Sequence, residues 1–437
     1  MQEKVAIFWF RRDLRLEDNA GLFRALTSGL SVVPIFIFDS VILDKLEDKQ
    51  DARVHFIHQQ IEDLHGKLVQ MGSSLHVFHG NPGVVWESIF ENWSVAEIYT
   101  NRDYEGYGLQ RDEQIKEKAN QRGIAFYTEK DQVIFEKNEI LSGTNTPYTV
   151  FTPFSKKWKA TLALTPFSFY ATEKHFSQFY KSEQTLVPSL AEIGFQPSSI
   201  VMPSKEIPVS TIEKYDETRD IPSIPGTTRL SVHLRFGTIS IRKLVSIALK
   251  TNEKWLNELI WRDFYMYIAH HFPHIHDGKA FRKEYDAIQW RNDEQEFEKW
   301  CKGKTGFPIV DAGMRELNAT GFMHNRVRMI TASFLVKDLL IDWRWGEQYF
   351  AQKLLDFEFA SNNGGWQWAA GSGCDAAPYF RVFNPTSQAQ KFDPSNKYIK
   401  KWIPEWGTSY YPSPMVDHAK ARDRVLAVYQ AALKKEK

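Results

Sequence analysis

The sequence predicts an α/β domain with a Rossmann-like parallel sheet at the N-terminus, then a long linker and an all-α domain at the C-terminus. Three observations carry this prediction. Short apolar runs alternate with amphipathic stretches over residues 1–130, prolines crowd the segment that follows, and helical periodicity dominates from about residue 227. The 437 residues suffice for two or three domains, since one domain takes roughly 150 residues. We expect the domains to span 1–130, 131–208 (the linker) and 209–437.

The N-terminal strands are identified by apolar, β-branched runs that do not alternate with polar residues. Such runs indicate strands buried on both faces, and the helices between them, one of them over residues 53–68, indicate parallel pairing. No glycine-rich fingerprint follows the first run, so a dinucleotide at that helix start is not expected. The predicted strands are Val5–Phe10, Val32–Phe38, Leu75–Phe78, Ile98–Thr100 and Ile124–Tyr127.

The linker and the C-terminal helices follow from prolines and from apolar spacing. Residues 131–226 hold nine of the 19 prolines, which indicates an extended connector with one short helix around Ser155–Leu162. Asn252 is placed to cap the second of the later helices, and Gly321 precedes the third. These helices are predicted over Leu234–Thr251, Trp255–His271, Arg326–Leu340 and Asp417–Lys435.

Charge, cysteine content and hydropathy narrow the classes of protein. A net charge of +1 and a pI of about 7.8 do not mark a nucleic-acid binder as a whole, so any phosphate contact must come from a local basic patch. Cys301 and Cys374 are the only cysteines, which excludes a disulfide framework and a four-cysteine metal site. No signal-like segment or long apolar span is seen, so we expect a cytoplasmic protein with no membrane or metal partner.

The stretch from Asn362 to Trp368 consists of three amides, two glycines and two indoles. Indoles at i and i+2 of a helix point in different directions, so one is expected to face a pocket and the other the core. Taken alone, the stretch is more typical of a tight turn into a buried aromatic helix. Its flank adds Asp356 and Glu358 to an apolar run, where a carboxylate needs a cation or a ligand N–H. Together they resemble the wall of a site for a large flat cofactor.

Three other clusters contain chemically useful side chains. Residues 226–231 join a glycine, three hydroxyls and an arginine before a helix, a pattern that suits a phosphate and is also an ordinary helix cap. Glu258 shares a helical face with indoles, so we expect a raised pKa or a polar partner. Arg326 and Arg328 need carboxylates or phosphates, and His324 is interpreted as structural.

Seven segments of this sequence resemble the DNA photolyase/cryptochrome family. The resemblance spans nearly the whole chain and is most specific in the C-terminal half, which is similar to bacterial class I cyclobutane pyrimidine dimer photolyases. It implies an α/β antenna domain, a linker and an all-α FAD-binding domain. The segments are Phe8–Arg15, Tyr148–Phe154, Thr227–Leu230, Asn257–Tyr265, Lys304–Met314, His324–Asp342 and Asn362–Pro385.

The resemblance implies FAD as the cofactor, with Arg328 paired to Asp356 and Asn362 opposite flavin N5. Phe357 stands where bacterial relatives have glycine. Glu105 matches a folate-contacting acid of the antenna site, but His276 and Asp277 do not match the other contacts, so folate, deazaflavin and no second chromophore all stay open. The implied FAD-binding residues are Tyr215, Thr227, Thr228, Arg229, Leu230, Ser231, Trp255, Arg328, Asp356, Phe357, Glu358 and Asn362.

The implied reaction is light-driven repair of pyrimidine dimers in UV-damaged DNA by a monomer, with the dimer flipped out of the duplex. Glu258, Asn325, Met329 and Asn362 are the implied catalytic residues, and Trp290, Trp343 and Trp366 match the family's electron-transfer chain. The implied contacts to DNA and dimer are Arg219, Glu258, Trp261, Arg262, Tyr265, Asn325, Arg326, Trp368 and Gln388.

Two alternatives stay within the same family. A (6-4) photolyase uses a histidine pair at its dimer site, where this sequence has Asn325 and Met329, which argues against it. A cryptochrome blue-light receptor is the other alternative. Such receptors commonly carry a long disordered C-terminal tail, whereas we expect this chain to end in one amphipathic helix.

Overall fold

The structure is a computed structural model that describes residues 3–434. By internal packing the chain divides into two compact units. The first unit comprises Met1–Glu136, Leu162–Lys205 and Leu230–Ile247, and the second comprises Lys137–Thr161, Glu206–Arg229 and Ala248–Lys437. This division follows packing, and the domain boundaries expected at 130 and 208 stay a prediction.

The first unit contains a parallel sheet of strand order β3-β2-β1-β4-β5. The central strand β1 is buried along its whole length after its first residue, because helices cover both faces of a parallel sheet. Val5 is in register with Ser31 on one side and Val95 on the other. All five predicted strands are confirmed, as β1 Lys4–Phe10, β2 Ser31–Asp39, β3 His76–Gly80, β4 Ser94–Asn101 and β5 Ala125–Glu129.

Four of the five helices between these strands, α5 being the exception, begin at polar side chains that accept from free backbone N–H groups. Asn19 accepts from the amide of Leu22, and Asp51 accepts from that of Arg53. The helix predicted over 53–68 is confirmed. The helices are α1 Ala20–Leu26, α2 Ser40–Leu43, α3 Ala52–Gln70, α4 Pro82–Asn92 and α5 Gly106–Gln121.

The segment predicted as a linker contains more helix than expected. The prediction of one helix over Leu234–Thr251 is wrong, because the chain forms two helices there. The chain turns at Gly237, whose φ is +63° and whose backbone approaches the carbonyl of Arg12 so closely that no Cβ would fit. The helices of this region are α6 Phe151–Leu164, α7 Val209–Glu213, α8 Tyr215–Thr218, α9 Ser231–Arg235 and α10 Ile241–Thr251, with 3₁₀ turns at Lys137–Glu139 and Thr172–Gln178.

The rest of the second unit is helical, as predicted. Asn252 caps the first of these helices by accepting from the amides of Lys254 and Trp255. The helices are α11 Glu253–His271, α12 Glu294–Cys301, α13 Pro308–Thr320, α14 Asn325–Ser333, α15 Trp343–Lys353, α16 Phe359–Ala370, α17 Pro385–Phe392, α18 Lys397–Trp402 and α19 His418–Lys434, with 3₁₀ turns at Pro273–Asp277 and Lys283–Ala287. Lys435, the predicted end of the last helix, lies outside the described residues.

The helix predicted over Arg326–Leu340 is interrupted, because α14 passes into a π-helix at Phe334–Asp338. The apolar side chains of this segment are buried throughout, so its spacing continues across the change and gives no signal of it. Single π-turns of this kind are often found near functional sites. None of the helices described between residues 3 and 434 combines the length and hydropathy that a membrane span requires.

Candidate functional site

Helix α11 presents the acid that the sequence singles out. Glu258 is half-buried and accepts a hydrogen bond from Nη1 of Arg219 at 2.6 Å. Burial raises the pKa of the Glu258 carboxyl, and Arg219 opposes that rise. The sequence predicted a raised pKa or a polar partner, and the structure shows both.

Trp261 lies one turn along the same helix from Glu258. Its ring stacks on Phe151, with centroids 3.8 Å apart and an interplanar angle of 4°. Tyr265 follows at 5.4 Å in a tilted contact. A flat ligand can therefore stack only on the other face of the Trp261 indole. Phe151 was not predicted as part of this site.

The two arginines of α14 pair with different acids. Arg328 donates to Asp356 at 3.0 Å, as the resemblance implied. Arg326 instead donates to Asp220 through Nε at 3.1 Å and Nη2 at 2.7 Å. Arg326 thus has the carboxylate partner that the sequence predicted it to need, in a residue that the sequence did not single out.

The start of α16 gathers buried charge and amide groups. Glu358, which is 5% exposed, accepts from Nη2 of Arg262 at 3.0 Å. Asn362 lies one turn further along and donates through Nδ2 to the carbonyl of Glu347 at 3.0 Å. Burial raises the pKa of the Glu347 side chain, while the amides of Asn363 and Asn362 oppose the rise. The amide expected near the flavin is therefore fixed in orientation by the protein.

The two indoles of α16 point in different directions, as predicted. Trp366 is 2% exposed and packs edge-on against Phe350 and Trp300 in the core. Trp368 is half-buried and lies 6.3 Å from Phe383. Trp368 is therefore the indole available to a site.

One of the two glycines of α16 serves helix packing. A Cβ on Gly364 would lie 2.2 Å from the ring of Tyr265 on α11, whereas one on Gly365 would meet nothing within 4 Å. Gly364 thus allows the two helices to approach, which the sequence could not reveal.

The segment expected to hold phosphate is a strained turn before a short helix. Gly226 packs against Thr218, and Arg229 adopts a φ of +53°. The following helix α9 has only five residues, so its dipole adds little to an anion site. Tyr215 and residues 227–229 belong to the second unit, while Leu230 and Ser231 belong to the first.

The remaining predicted site residues lie mostly in the second unit. Asn325 is exposed at the first position of α14, Met329 is half-buried, and its sulfur lies 3.5 Å from Nη1 of Arg326. Gln388 is half-buried on α17, and Trp255 is buried. Trp343 and Trp366 belong to one apolar core, with Trp290 and Phe357 packed against it.

Glu105, for which the resemblance implied an antenna contact, lies in the first unit, 3.3 Å from Arg12 and 3.4 Å from Arg235. A cavity of about 270 Å³ also opens in this unit, over Phe56 and His233 and beside Lys67 and Lys205. None of the predicted site residues is among the described residues that line it.

Comparison with known proteins settles the class. Residues 255–409 match the family model "FAD binding domain of DNA photolyase", and residues 6–172 match "DNA photolyase". The protein is thus a flavoprotein with an FAD-binding domain in its helical part. It belongs to the DNA photolyase family.

Individual relatives agree with this assignment. The chain is 36% identical to a deoxyribodipyrimidine photo-lyase of Synechococcus sp., over 97% of this chain and 96% of that protein. A class III photolyase from Agrobacterium tumefaciens has a TM-score of 0.86 at 31% identity, covering 99% of this chain and 98% of the other. A Synechocystis cryptochrome has a TM-score of 0.83 at 27% identity, covering 98% and 99%.

A second chromophore has a precedent in one similar structure. The photolyase of Sulfolobus tokodaii, 34% identical with a TM-score of 0.81 over 98% of this chain and 99% of that one, contains two FAD molecules, one of them implicated as a light-harvesting cofactor.

The residues near α11 and α16 fit an FAD molecule. Oδ1 of Asn257 is buried and has no hydrogen-bond partner among the described residues, which is costly unless a ligand supplies a donor. The Arg328–Asp356 pair and the fixed amide of Asn362 add charge and hydrogen-bonding groups to the same unit. Such a mixture of apolar walls and a few placed polar groups is typical of cofactor sites.

Proposed function

We propose that the chain repairs cyclobutane pyrimidine dimers in DNA by light-driven electron transfer. The observation that carries this proposal is the half-buried Glu258, with its raised pKa, one helical turn from Trp261. An acid in that state can donate a hydrogen bond to a dimer carbonyl, and the indole offers a stacking surface for a pyrimidine. Family membership and the FAD-binding domain support the same function.

The cofactor-binding residues are proposed to be those implied by the resemblance, with Arg328, Asp356, Glu358 and Asn362 nearest the flavin ring. The chemistry that reduced FAD would supply when bound is electron donation: one photoexcited electron would pass to the dimer and return after the two bonds between the pyrimidines have broken. Glu258 is proposed to stabilise the negative charge that develops on the dimer. A hydrogen bond from a fixed donor in a water-excluded site becomes stronger as its acceptor gains negative charge.

The substrate contacts are divided between dimer and backbone. Trp261 and Trp368 are proposed to stack on the dimer, with Asn325 and Met329 beside it. Arg219, Arg326 and Gln388 are proposed to meet phosphates, which fixes the position of the DNA without reading its sequence. Trp290, Trp343 and Trp366 are proposed to carry electrons inward from the surface to maintain the reduced cofactor.

The three candidate functions within the family differ in whether the protein repairs DNA and in which photoproduct it repairs. The similarity to a Synechocystis cryptochrome favours a light receptor as the second candidate. Asn362 argues for repair, since repair enzymes of the family carry an amide at that position, whereas several cryptochromes carry cysteine or an acid. Asn325 and Met329 argue against (6-4) repair.

The test is blue-light illumination of the purified, reduced protein with two oligonucleotides in separate reactions. One contains a cyclobutane dimer and the other a (6-4) photoproduct, and dark samples serve as controls. We expect light-dependent recovery of intact thymines from the first oligonucleotide alone. Recovery from neither would favour the receptor, and recovery from the second would contradict the assignment of Asn325 and Met329.

A further inference from the structure

A short segment links α11 and α14, two of the helices on which the proposed DNA contacts lie. Arg219 donates to Glu258 of α11 at 2.6 Å, and the next residue, Asp220, accepts from Arg326 of α14 at 2.7 Å. We call these four residues the 219–220 clasp. Its charges alternate along the chain of contacts and sum to zero.

Both arginines of the clasp are also held from a second side. The guanidinium of Arg219 lies 5.3 Å from the ring centroid of Tyr215, and that of Arg326 lies 4.4 Å from the centroid of Phe392. The side chain of Arg326 is 18% exposed, whereas that of Asp220 is 44% exposed. Asp220 is therefore the member of this ion pair that a DNA strand reaches more readily.

In the clasp, Asp220 and Glu258 accept from arginine N–H groups to which a phosphate could otherwise bind. Asp220 accepts from Nε and Nη2 of Arg326, the edge with which arginine binds a phosphate bidentately. Glu258 occupies Nη1 of Arg219. A phosphate that binds this edge of Arg326 must displace Asp220, so one anion replaces another and little free energy is gained.

We propose that Asp220 determines the selectivity for damaged DNA by competing with backbone phosphate for Arg326. This inference rests on the proposed function, because it takes DNA as the ligand. Undamaged DNA offers only phosphates and cannot open the clasp. A flipped dimer adds stacking on the indoles and a hydrogen bond to Glu258, which releases Arg219 and makes the exchange favourable.

The variant Asp220→Asn tests the proposal in the flavin-loaded protein. Binding is measured by fluorescence anisotropy with an undamaged duplex and with the same duplex containing one cyclobutane dimer. We expect the affinity for undamaged duplex to rise severalfold and that for damaged duplex to rise less. The slope of log affinity against log salt for undamaged duplex should steepen by about 0.9, the value for one additional phosphate contact.

Glu217→Gln is the matched control. It removes the same charge three residues away, from an exposed side chain outside the clasp. We expect it to change both affinities equally and much less than Asp220→Asn does.

Three outcomes would overturn the proposal. Equal tightening on both duplexes would show a plain charge effect, and equal effects of the two variants would show that the clasp contact is irrelevant. Weaker binding would mean that Asp220 positions Arg326 for phosphate.

If Asp220→Asn does not fold, the variant Arg326→Gln tests the proposal instead. It should weaken binding to damaged duplex by a larger factor than binding to undamaged duplex, and equal factors would refute competition. A wild-type protein without preference for damaged duplex would contradict the proposed function itself.

Discussion

Glu258 illustrates how a single side chain can serve the ground state and the reaction differently. In the structure its carboxyl is held by Arg219 while burial raises its pKa. A group with a raised pKa is protonated over a wider range of pH, so it can act as a donor where an ordinary glutamate cannot. Its contribution should therefore appear in the chemical step more than in binding.

The variant Glu258→Ala tests that role. We expect the repair quantum yield to fall severalfold, because the lost hydrogen bond stabilises charge that develops only during the reaction. The affinity for damaged DNA should change little, since Arg219 becomes available to phosphate. Glu253→Ala, which removes an exposed acid of the same helix, is the control. An unchanged yield in Glu258→Ala would remove the assigned role.

His324 is a structural residue with a measurable pH signature. Its Nδ1 accepts from the amide of Arg326 and caps α14, while its buried Nε2 has no hydrogen-bond partner among the described residues. Burial lowers the pKa of His324 to about 4, from an ordinary value of 6.5. The unfolded chain therefore binds a proton between these values that the folded chain does not.

The sign of the pH effect follows from that difference. His324 supports stability above pH 6.5, and this support is lost as the pH falls toward 4, by at most about 3 kcal/mol. His324→Asn keeps a capping side chain without the titration. We expect the free energy of unfolding, measured with denaturant from pH 7 to 4, to fall less in this variant. An equal fall in both proteins would contradict the assigned pKa.

At the scale of elements, contact between α11 and α16 depends on one glycine. Gly364 leaves room for the ring of Tyr265, and Gly365 beside it points to open space. Both lie inside a helix, where alanine is intrinsically favoured by about 1 kcal/mol. The two positions therefore separate helix propensity from packing.

We expect opposite effects of alanine at these neighbouring positions. Gly364→Ala should destabilise the protein by about 1–3 kcal/mol, because overpacking forces the helices apart. Gly365→Ala should stabilise it by about 0.5–1 kcal/mol. Denaturant unfolding of both variants measures the difference. The same sign for both would show that the contact with Tyr265 is not tight.

Helices and strands were predicted well where burial or a local cap determines them. The run Val5–Phe10 is apolar on both faces because both faces are covered, and Asn252 caps α11 because its side chain reaches two free amides. The glycine at position 237 can be read from the sequence. The helix breaks there because the backbone approaches Arg12 closely, and Arg12 is too distant in the sequence for this contact to be predicted. The π-helix after α14 left no trace in apolar spacing.

At the scale of the whole molecule, the chemical types of the site residues were more predictable than their partners. Acids among indoles predicted that Glu258 needs a partner, but not that Arg219, 39 residues away, supplies it. Arg326 finds Asp220 at a separation of 106 residues. Such pairs depend on how helices pack, and periodicity within one helix carries no information about them. The roles assigned to these residues stay predictions.

The most direct test of the account is the excited-state lifetime of the reduced flavin in the purified protein, measured by time-resolved fluorescence. We predict that DNA containing a cyclobutane dimer shortens this lifetime, because the excited electron leaves for the dimer, and that undamaged DNA of the same sequence leaves it unchanged. A lifetime that saturating damaged DNA does not shorten would contradict electron transfer from flavin to dimer, on which the account depends.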